Sequence, residues 1–282
     1  MTFAPMLRAA LLMSAGMCFI PVGDTAGKLL GEAGVAPVFI AWSRFALGAV
    51  LVFCAFGGRG FDFRVFRDWR YWLRAVIITV AVTCILTALT TEPIANVFAA
   101  FFVGPILSYF LAAWMLGETI TRARTILLFA GFCGVLMVVR PGGDLSAGIG
   151  WALLAGMLYG CFLVATKWLS GTVAPRSLLF SHLTIGAILL TPWGTAAIPE
   201  ATGMTMALVV MSAAASAMGN LLHTIATRMT DASRLAPLVY VQLVSATLMG
   251  IVVFGTWPDG WSLAGLALLL VSGFGALFLQ RR

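Results

Sequence analysis

The sequence predicts an all-α membrane protein of about ten transmembrane helices, built as two inverted five-helix repeats. Three observations carry that expectation. Of 282 residues, 61% are hydrophobic and 10% are charged, whereas soluble domains carry roughly 25% charged residues. There is too little polar surface to coat a soluble globule. Apolar runs of roughly twenty residues, enough to cross about 30 Å of hydrocarbon, recur from one end of the chain to the other. Finally, the two halves repeat one another in register.

The first span, 6–30, follows Arg8, holds Pro21 inside its apolar run and carries Asp24 and Lys28 in its outer half. Its opening has the look of a signal peptide, but the counterpart of this segment in the second half argues that it is retained. The span 35–57 contains Pro37 and Arg44, and 70–90 follows GGRGFDFRVFRDWR, the one basic connection of any length. The fourth, 93–116, holds Asn96 and is interrupted by Gly104-Pro105. The fifth, 122–140, contains the continuous run TILLFAGFCGVLMVV. Such a run excludes a transmembrane barrel, whose strands alternate apolar and polar residues over about ten positions. Only a helix satisfies its own backbone hydrogen bonds along such a run in lipid. The spans 147–170 and 175–194 follow, the latter opening on Pro175. Next come 204–228 with the polar stretch GNLLHTIAT, 232–256 with Pro237, and 260–280. Cys18, Cys54, Cys84, Cys133 and Cys161 stand singly in apolar runs without CxxC spacing, which predicts small buried thiols rather than disulfides or metal ligands.

Charge placement orients the chain. With the amino terminus in the cytoplasm, the inner side collects Arg8, Arg59, Arg64, Arg67, Arg70, Arg122, Arg124, Arg176, Arg228, Arg234, Arg281 and Arg282. The outer side holds little beyond Lys28 and Arg140. This positive-inside bias predicts both termini on the cytoplasmic side of a bacterial inner membrane. The net charge of +7 is then topology, and nucleic acid is not expected as a partner.

PVFIAWSRFALGAVL from Pro37 and PRSLLFSHLTIGAIL from Pro175 place Ser43 opposite Ser181, Gly48 opposite Gly186 and Leu51 opposite Leu189, at an offset of 181 − 43 = 138. The same offset joins Ala88 to Ala226 and Gly117 to Gly255, and one residue more joins Lys28 to Lys167. The units divide as 1–141 and 142–282. Five spans per unit make the second copy enter the membrane from the opposite side. Inverted repeats of this kind are an architecture of secondary transporters, whose halves exchange inward-open and outward-open shapes around a central site.

The run IANVFAAFFVGPILSYFLAAWMLGETITRARTILLFAGFCGVLMVVRPGG resembles the end of an EamA-type repeat of the drug/metabolite transporter superfamily, and LAPLVYVQLVSATLMGIVVFGTWPDGWSLAGLALLLVSGFGALF looks like its second copy. GDTAGK and LAPLVYV look most like the group that holds riboflavin and S-adenosylmethionine carriers. The resemblance implies a metabolite transporter. The chain departs from a symmetric pattern where LGE at 116–118 has FGT at 254–256 as its counterpart.

Ionisable groups at membrane depth are costly and mark sites by default. Arg44 lies about 13 Å deep at a 1.5 Å rise per residue, and Asp24 and Lys28, four apart on one face of the first helix, are candidates to form with it one cluster of net charge +1. Arg44 is either neutralised by Asp24 as a structural brace or left to meet an anionic group such as a substrate carboxylate. His182 stands at the position equivalent to Arg44, as a proton-responsive group or a buried neutral one. Asn220, His223, Thr224 and Thr227 make a polar stripe that suits a bundle interior. Asn96, Tyr240 and Gln242 are further candidates for the cavity lining, and Trp42 and Tyr159 for stacking on a planar substrate. Pro21, Gly104, Pro105 and Pro237 are candidate kinks, since proline inside a membrane helix frees a carbonyl.

No HExxH, GxSxG, paired carboxylates or P-loop is present, so no catalytic residues, metal or cofactor are expected; an ATP-driven pump is excluded, and an intramembrane enzyme is a rival without a recognisable constellation. A channel would need a ring of like groups. The expectation is a carrier, proton-coupled or facilitative, that moves a small metabolite such as an amino acid or a related zwitterionic or planar compound through the lipid bilayer. The alternatives are an exporter of lipophilic organic cations or drugs or, in a different class, a channel or an intramembrane enzyme. Oligomeric state is open.

Overall fold

The computed structural model describes residues 3–278 apart from 93, 140–145, 256 and 258. The expected boundary between units at 141, Arg140, Arg281, Arg282 and the Thr256 counterpart of Glu118 lie outside the described residues. Among those described there is no strand beyond an isolated bridge between Ser170 and Val173. Twelve helices follow in order: α1 Phe3–Glu32, α2 Pro37–Ala55, α3 Trp69–Thr91, α4 Ile94–Phe101, α5 Val103–Leu116, α6 Arg122–Val139, α7 Ala147–Trp168, α8 Pro175–Gly194, α9 Gly203–Met229, α10 Ala232–Leu235, α11 Val241–Phe254 and α12 Gly260–Phe278. Six of them, α1, α2, α3, α7, α8 and α9, are long and apolar enough to cross a membrane by length and composition.

Local chemistry sets the ends. Helices α2 and α8 open on Pro37 and Pro175 after an extended alanine, a position where proline's missing N–H costs nothing. Ser146 and Thr202 cap α7 and α9 by accepting from Ile149 N and Thr205 N at 3.2 Å each. Helices α5 and α11 both stop on a left-handed glycine, Gly117 and Gly255, at φ 65°, the backbone conformation that closes a helix and that side chains with a Cβ resist. The fourth expected span is broken: α4 stops at Phe101 and α5 restarts at Val103, with Pro105 in its first turn. The ninth is broken in the same place, where a 3₁₀ stretch Ala236–Tyr240 leads into α11 at Val241, and 241 − 103 = 138.

The bundle is organised by pairs: α1 on α9, α3 on α7, α2 on α8, and α6 on α12. Where the first pair crosses, glycines let backbones approach. A Cβ built on Gly16 would sit 2.8 Å from the carbonyl oxygen of Gly219, and one on Gly219 2.8 Å from that of Gly16. In lipid, where burial gives no hydrophobic gain over the acyl chains, such close packing is what holds helices together. Leu11, Val50, Trp114, Ile126, Val252 and Val271 point outward, as apolar groups facing acyl chains do.

The expectation of buried thiols is corrected. Cys84 alone is buried, Cys161 is intermediate, and Cys18, Cys54 and Cys133 are exposed. The outer face of a membrane helix is as apolar as its core face, so hydropathy alone does not turn a cysteine inward. All five are free thiols.

Candidate functional site

A cavity of about 50 Å³ opens at the centre of the bundle. Its apolar walls include Phe45, Ile78, Ile85 and Phe101, and seven polar residues converge on it: Asp24, Arg44, Tyr159, His182, Ser216, Asn220 and Gln242. This volume suits a few waters, whereas metabolite pockets span about 300–1,000 Å³. The cavity is therefore too small to hold a metabolite as it stands.

Arg44 comes from α2 and is 5% exposed; Asp24 comes from α1 and is 2% exposed. Arg44 Nη1 donates to Asp24 Oδ1 at 2.7 Å, Nη2 to the Gly23 carbonyl at 2.9 Å, and Nε to Ser212 Oγ at 3.1 Å. Ser212 Oγ in turn donates to the Gly23 carbonyl at 2.9 Å. Every guanidinium nitrogen is thus engaged, and the ion pair ties α1, α2 and α9 at one edge of the cavity. The three-charge cluster with Lys28 does not form. Lys28 Nζ turns outward to the Leu89 carbonyl at 3.4 Å and Glu32 Oε1 at 3.9 Å, where its long stem reaches the polar boundary.

The second buried cation of the interior is Arg74 of α3, 0% exposed. Its Nε donates to Thr166 Oγ1 at 2.9 Å, and Nη1 to the Leu178 carbonyl and to His182 Nδ1, each at 3.0 Å. The guanidinium lies 4.5 Å from the ring centre of Phe162, and Nη2 is sealed without a partner. No carboxylate among the described residues pairs with it.

The remaining candidates divide. Tyr159 sets its ring 4.9 Å from that of Phe101 at a tilt of 36° and points its hydroxyl at Met17 Sδ, 4.0 Å away. Asn220 Nδ2 donates to the Ser216 carbonyl at 2.9 Å. Gln242 lines the cavity with Oε1 unpartnered. His223 and Thr227 line a second, smaller cavity with Ser108 and Leu163. Tyr240 is fully buried against Phe102 at 5.5 Å, its hydroxyl without a partner. Trp42 sits away from the centre, where Nε1 donates to Thr191 Oγ1 at 3.2 Å. Of the kink candidates, Pro21 lies within an unbroken α1, and Gly104 and Pro105 lie in the first turn of α5. The side chains of Asn96 and Pro237 lie outside the described residues.

Contacts recur between the halves at the offset of the sequence. Arg44 meets Ser212 and His182 meets Arg74, with 182 − 44 = 138 and 212 − 74 = 138. Lys28 meets the Leu89 carbonyl and Lys167 the Thr227 carbonyl, both at 3.4 Å, with 227 − 89 = 138. Each lysine faces the last turns of a long helix, where the dipole is negative. Arg74 and Ser212 were not legible as functional groups in the sequence. Arg74 follows WRYWL at the basic end of a span, the position of an ordinary interfacial charge. The available signal was its register, one repeat before a hydroxyl that stands near another buried arginine.

The chain matches the model of the EamA-like transporter family twice, over residues 7–140 and 146–278. It is 30% identical over 227 residues to a riboflavin transporter of Rhizobium johnstonii, covering 77% of this chain and 72% of that protein. An S-adenosylmethionine uptake transporter of Rickettsia felis is 21% identical over 86% of this chain and 83% of its own length, and a pseudopaline exporter of Pseudomonas aeruginosa is 24% identical over 83% of each. One solved crystal structure superposes with a TM-score of 0.81, covering 97% of this chain and 98% of its own at 20% identity.

Proposed function

The chain belongs to the EamA-like transporter family, and from that membership we propose that it is an alternating-access carrier for a small planar metabolite. It is an integral membrane transporter and not an enzyme, as its family and relatives are. The observation that carries the finer reading is the central cavity, where aromatic and aliphatic walls surround a few converging polar groups. Such a site holds a flat, largely apolar body and fixes its orientation by a few hydrogen bonds.

Ten spans in two inverted units, 1–141 and 142–282, are supported by the paired helix breaks at Val103 and Val241 and by contacts that recur at 138 residues. Interrupted helices at matching places in two halves are where transporters of this architecture bind and flex. In this reading the broken segments α4–α5 and α10–α11 move to widen the small cavity. Both termini are cytoplasmic and the membrane is the bacterial inner one, as the arginine bias supports. Asp24 with Arg44 braces the outer end of the site; Tyr159, His182, Asn220 and Gln242 meet the substrate.

The test is counterflow. Purified protein in liposomes preloaded with unlabelled riboflavin is expected to accumulate external labelled riboflavin transiently, which requires a carrier that exchanges one molecule for another. Uptake that shows no dependence on the internal pool would point to a channel and end the carrier reading. If riboflavin is inert, a thermal-shift screen against amino acids, nucleosides and organic cations names the class that binds, because a ligand stabilises the state it binds.

A further inference from the structure

Arg74 and His182 form a unit whose chemistry follows from donor and acceptor counting. Arginine has donors only and stays protonated. His182 Nδ1, 3.0 Å from Arg74 Nη1, must therefore accept. The ring proton then sits on Nε2, and the imidazole is neutral. Nε2 has no hydrogen-bond partner among the described residues and is not among the unpartnered atoms sealed from open space. Since His182 is part of the cavity wall, its Nε2–H is the edge turned to the cavity. Two rings hold that orientation edge-on, Phe45 at 6.4 Å and Phe162 at 5.7 Å. Phe162 also offers its face to Arg74 at 4.5 Å, the favoured side for a cation.

The two buried arginines, both in the first unit, differ in how their charges are balanced. Asp24 cancels Arg44 at 2.7 Å. Arg74 meets a neutral ring, a hydroxyl, a carbonyl and an aromatic face, so one positive charge stands uncancelled an imidazole's width behind the cavity wall. In a low-dielectric interior such a charge is felt across several ångströms.

We propose that Arg74 is a positioning residue that fixes His182 as a donor of Nε2–H to an acceptor atom of the substrate, and that its uncancelled charge makes the site select neutral or anionic planar compounds over cations. This rests on the planar-carrier reading and narrows it: a flavin-like ring with carbonyl acceptors fits, whereas a sulfonium or a lipophilic organic cation does not. Thr166, Leu178 and Phe162 hold the guanidinium, and of the groups that contact Arg74 it is His182 that reaches the substrate.

Two readouts decide it. The first needs no substrate: the chain has two histidines, so ¹⁵N-histidine NMR of the full protein, with His223→Gln to assign the signals, reads the tautomer of His182 directly. The expected spectrum has Nε2 protonated and Nδ1 bare, and Arg74→Met is expected to abolish that fixed tautomer. A protonated Nδ1 in the unmodified protein, or an unchanged tautomer in Arg74→Met, would overturn the proposal. Arg74→Met is expected to fold, because it removes a buried charge without stranding a partner carboxylate. Should it not fold, the unmodified spectrum and the His182 variants still decide. The second readout is binding of riboflavin and of S-adenosylmethionine. His182→Phe is expected to weaken riboflavin binding about tenfold or more, as loss of a donor does in sites built for hydrogen bonds. In His182→Gln the amide oxygen accepts from Arg74 and the amide nitrogen donates to the cavity, so affinity stays within about threefold. Arg74→Met is expected to narrow the preference for riboflavin over S-adenosylmethionine. Equal riboflavin affinity in His182→Phe, or an unaltered preference in Arg74→Met, overturns the proposal. Failure of the unmodified protein to bind either compound instead refutes the planar-carrier reading, and the tautomer then decides the role of Arg74 alone.

Discussion

At the scale of single residues, the Asp24–Arg44 pair gives the sharpest prediction. With all three guanidinium nitrogens bonded, Arg44→Ala strands Asp24 in the interior, and breaking a buried pair from one side costs about 3–5 kcal/mol. The double variant Asp24→Leu with Arg44→Met is expected to recover most of that stability in a thermal denaturation assay in detergent. A double variant as unstable as Arg44→Ala would refute the brace. The pair was legible in the sequence because ionisable groups at that depth are rare and have few candidate partners. Arg74 was not, because a cation one turn beyond Arg70 looks like one more inner-face arginine. What distinguishes it is that Thr166, Leu178 and His182 come from α7 and α8, far away in the chain, to enclose it. No local pattern announces a cage assembled from distant helices.

At the scale of elements, the helices themselves were readable and their neighbours were not. Lipid forces every crossing backbone to be helical, so apolar runs and turn residues locate the elements within a few positions. Which helix packs on which depends on small residues meeting across an interface. Gly104 and Gly160 show the constraint: a Cβ on Gly160 would lie 2.6 Å from the Gly104 carbonyl oxygen, and one on Gly104 2.5 Å from that of Gly156. Gly160→Val is therefore expected to force α7 off α5 and lower the melting temperature by several degrees, since overpacking typically costs about 1–3 kcal/mol. Gly150→Ala, with nothing within 4 Å of the added carbon, serves as the control and should not move it. The stripe of α9 makes a separate prediction. Asn220 faces the cavity while Met218 is 44% exposed on the lipid side. In a background without native thiols, Asn220→Cys should react with a small polar thiol reagent and slow when riboflavin is present, and Met218→Cys should resist it. Equal rates at both positions would remove Asn220 from the proposed path.

At the scale of the whole molecule, the repeat was legible because its register survives in Pro37 and Pro175 and in Gly117 and Gly255, residues whose backbone roles tolerate little else. The cavity's small volume and the imbalance of its cations were not, since both depend on how the halves close on each other. Topology is checked by fusing a reporter active only in the periplasm after Arg282, which should stay silent; activity there would reverse the orientation. The orientation proposed above gives the uncancelled cation an electrical consequence. Arg74 lies five residues from the start of α3, about 8 Å at 1.5 Å per residue from the end that the proposed orientation puts on the cytoplasmic side. In the proposed alternating-access cycle, when the centre opens outward, the membrane voltage falls across the closed inner half, with Arg74 inside it. When it opens inward, Arg74 stands near cytoplasmic potential. A full crossing by one charge is worth about 2.3 kcal/mol per 100 mV, and Arg74 should feel a fraction of that. An interior-negative potential thus favours the inward-facing shape even when the cargo is neutral. Proteoliposomes clamped with a potassium gradient and valinomycin should show riboflavin uptake that varies with voltage, and Arg74→Met should flatten that response, making the carrier's resting posture a property of the cell's charge state.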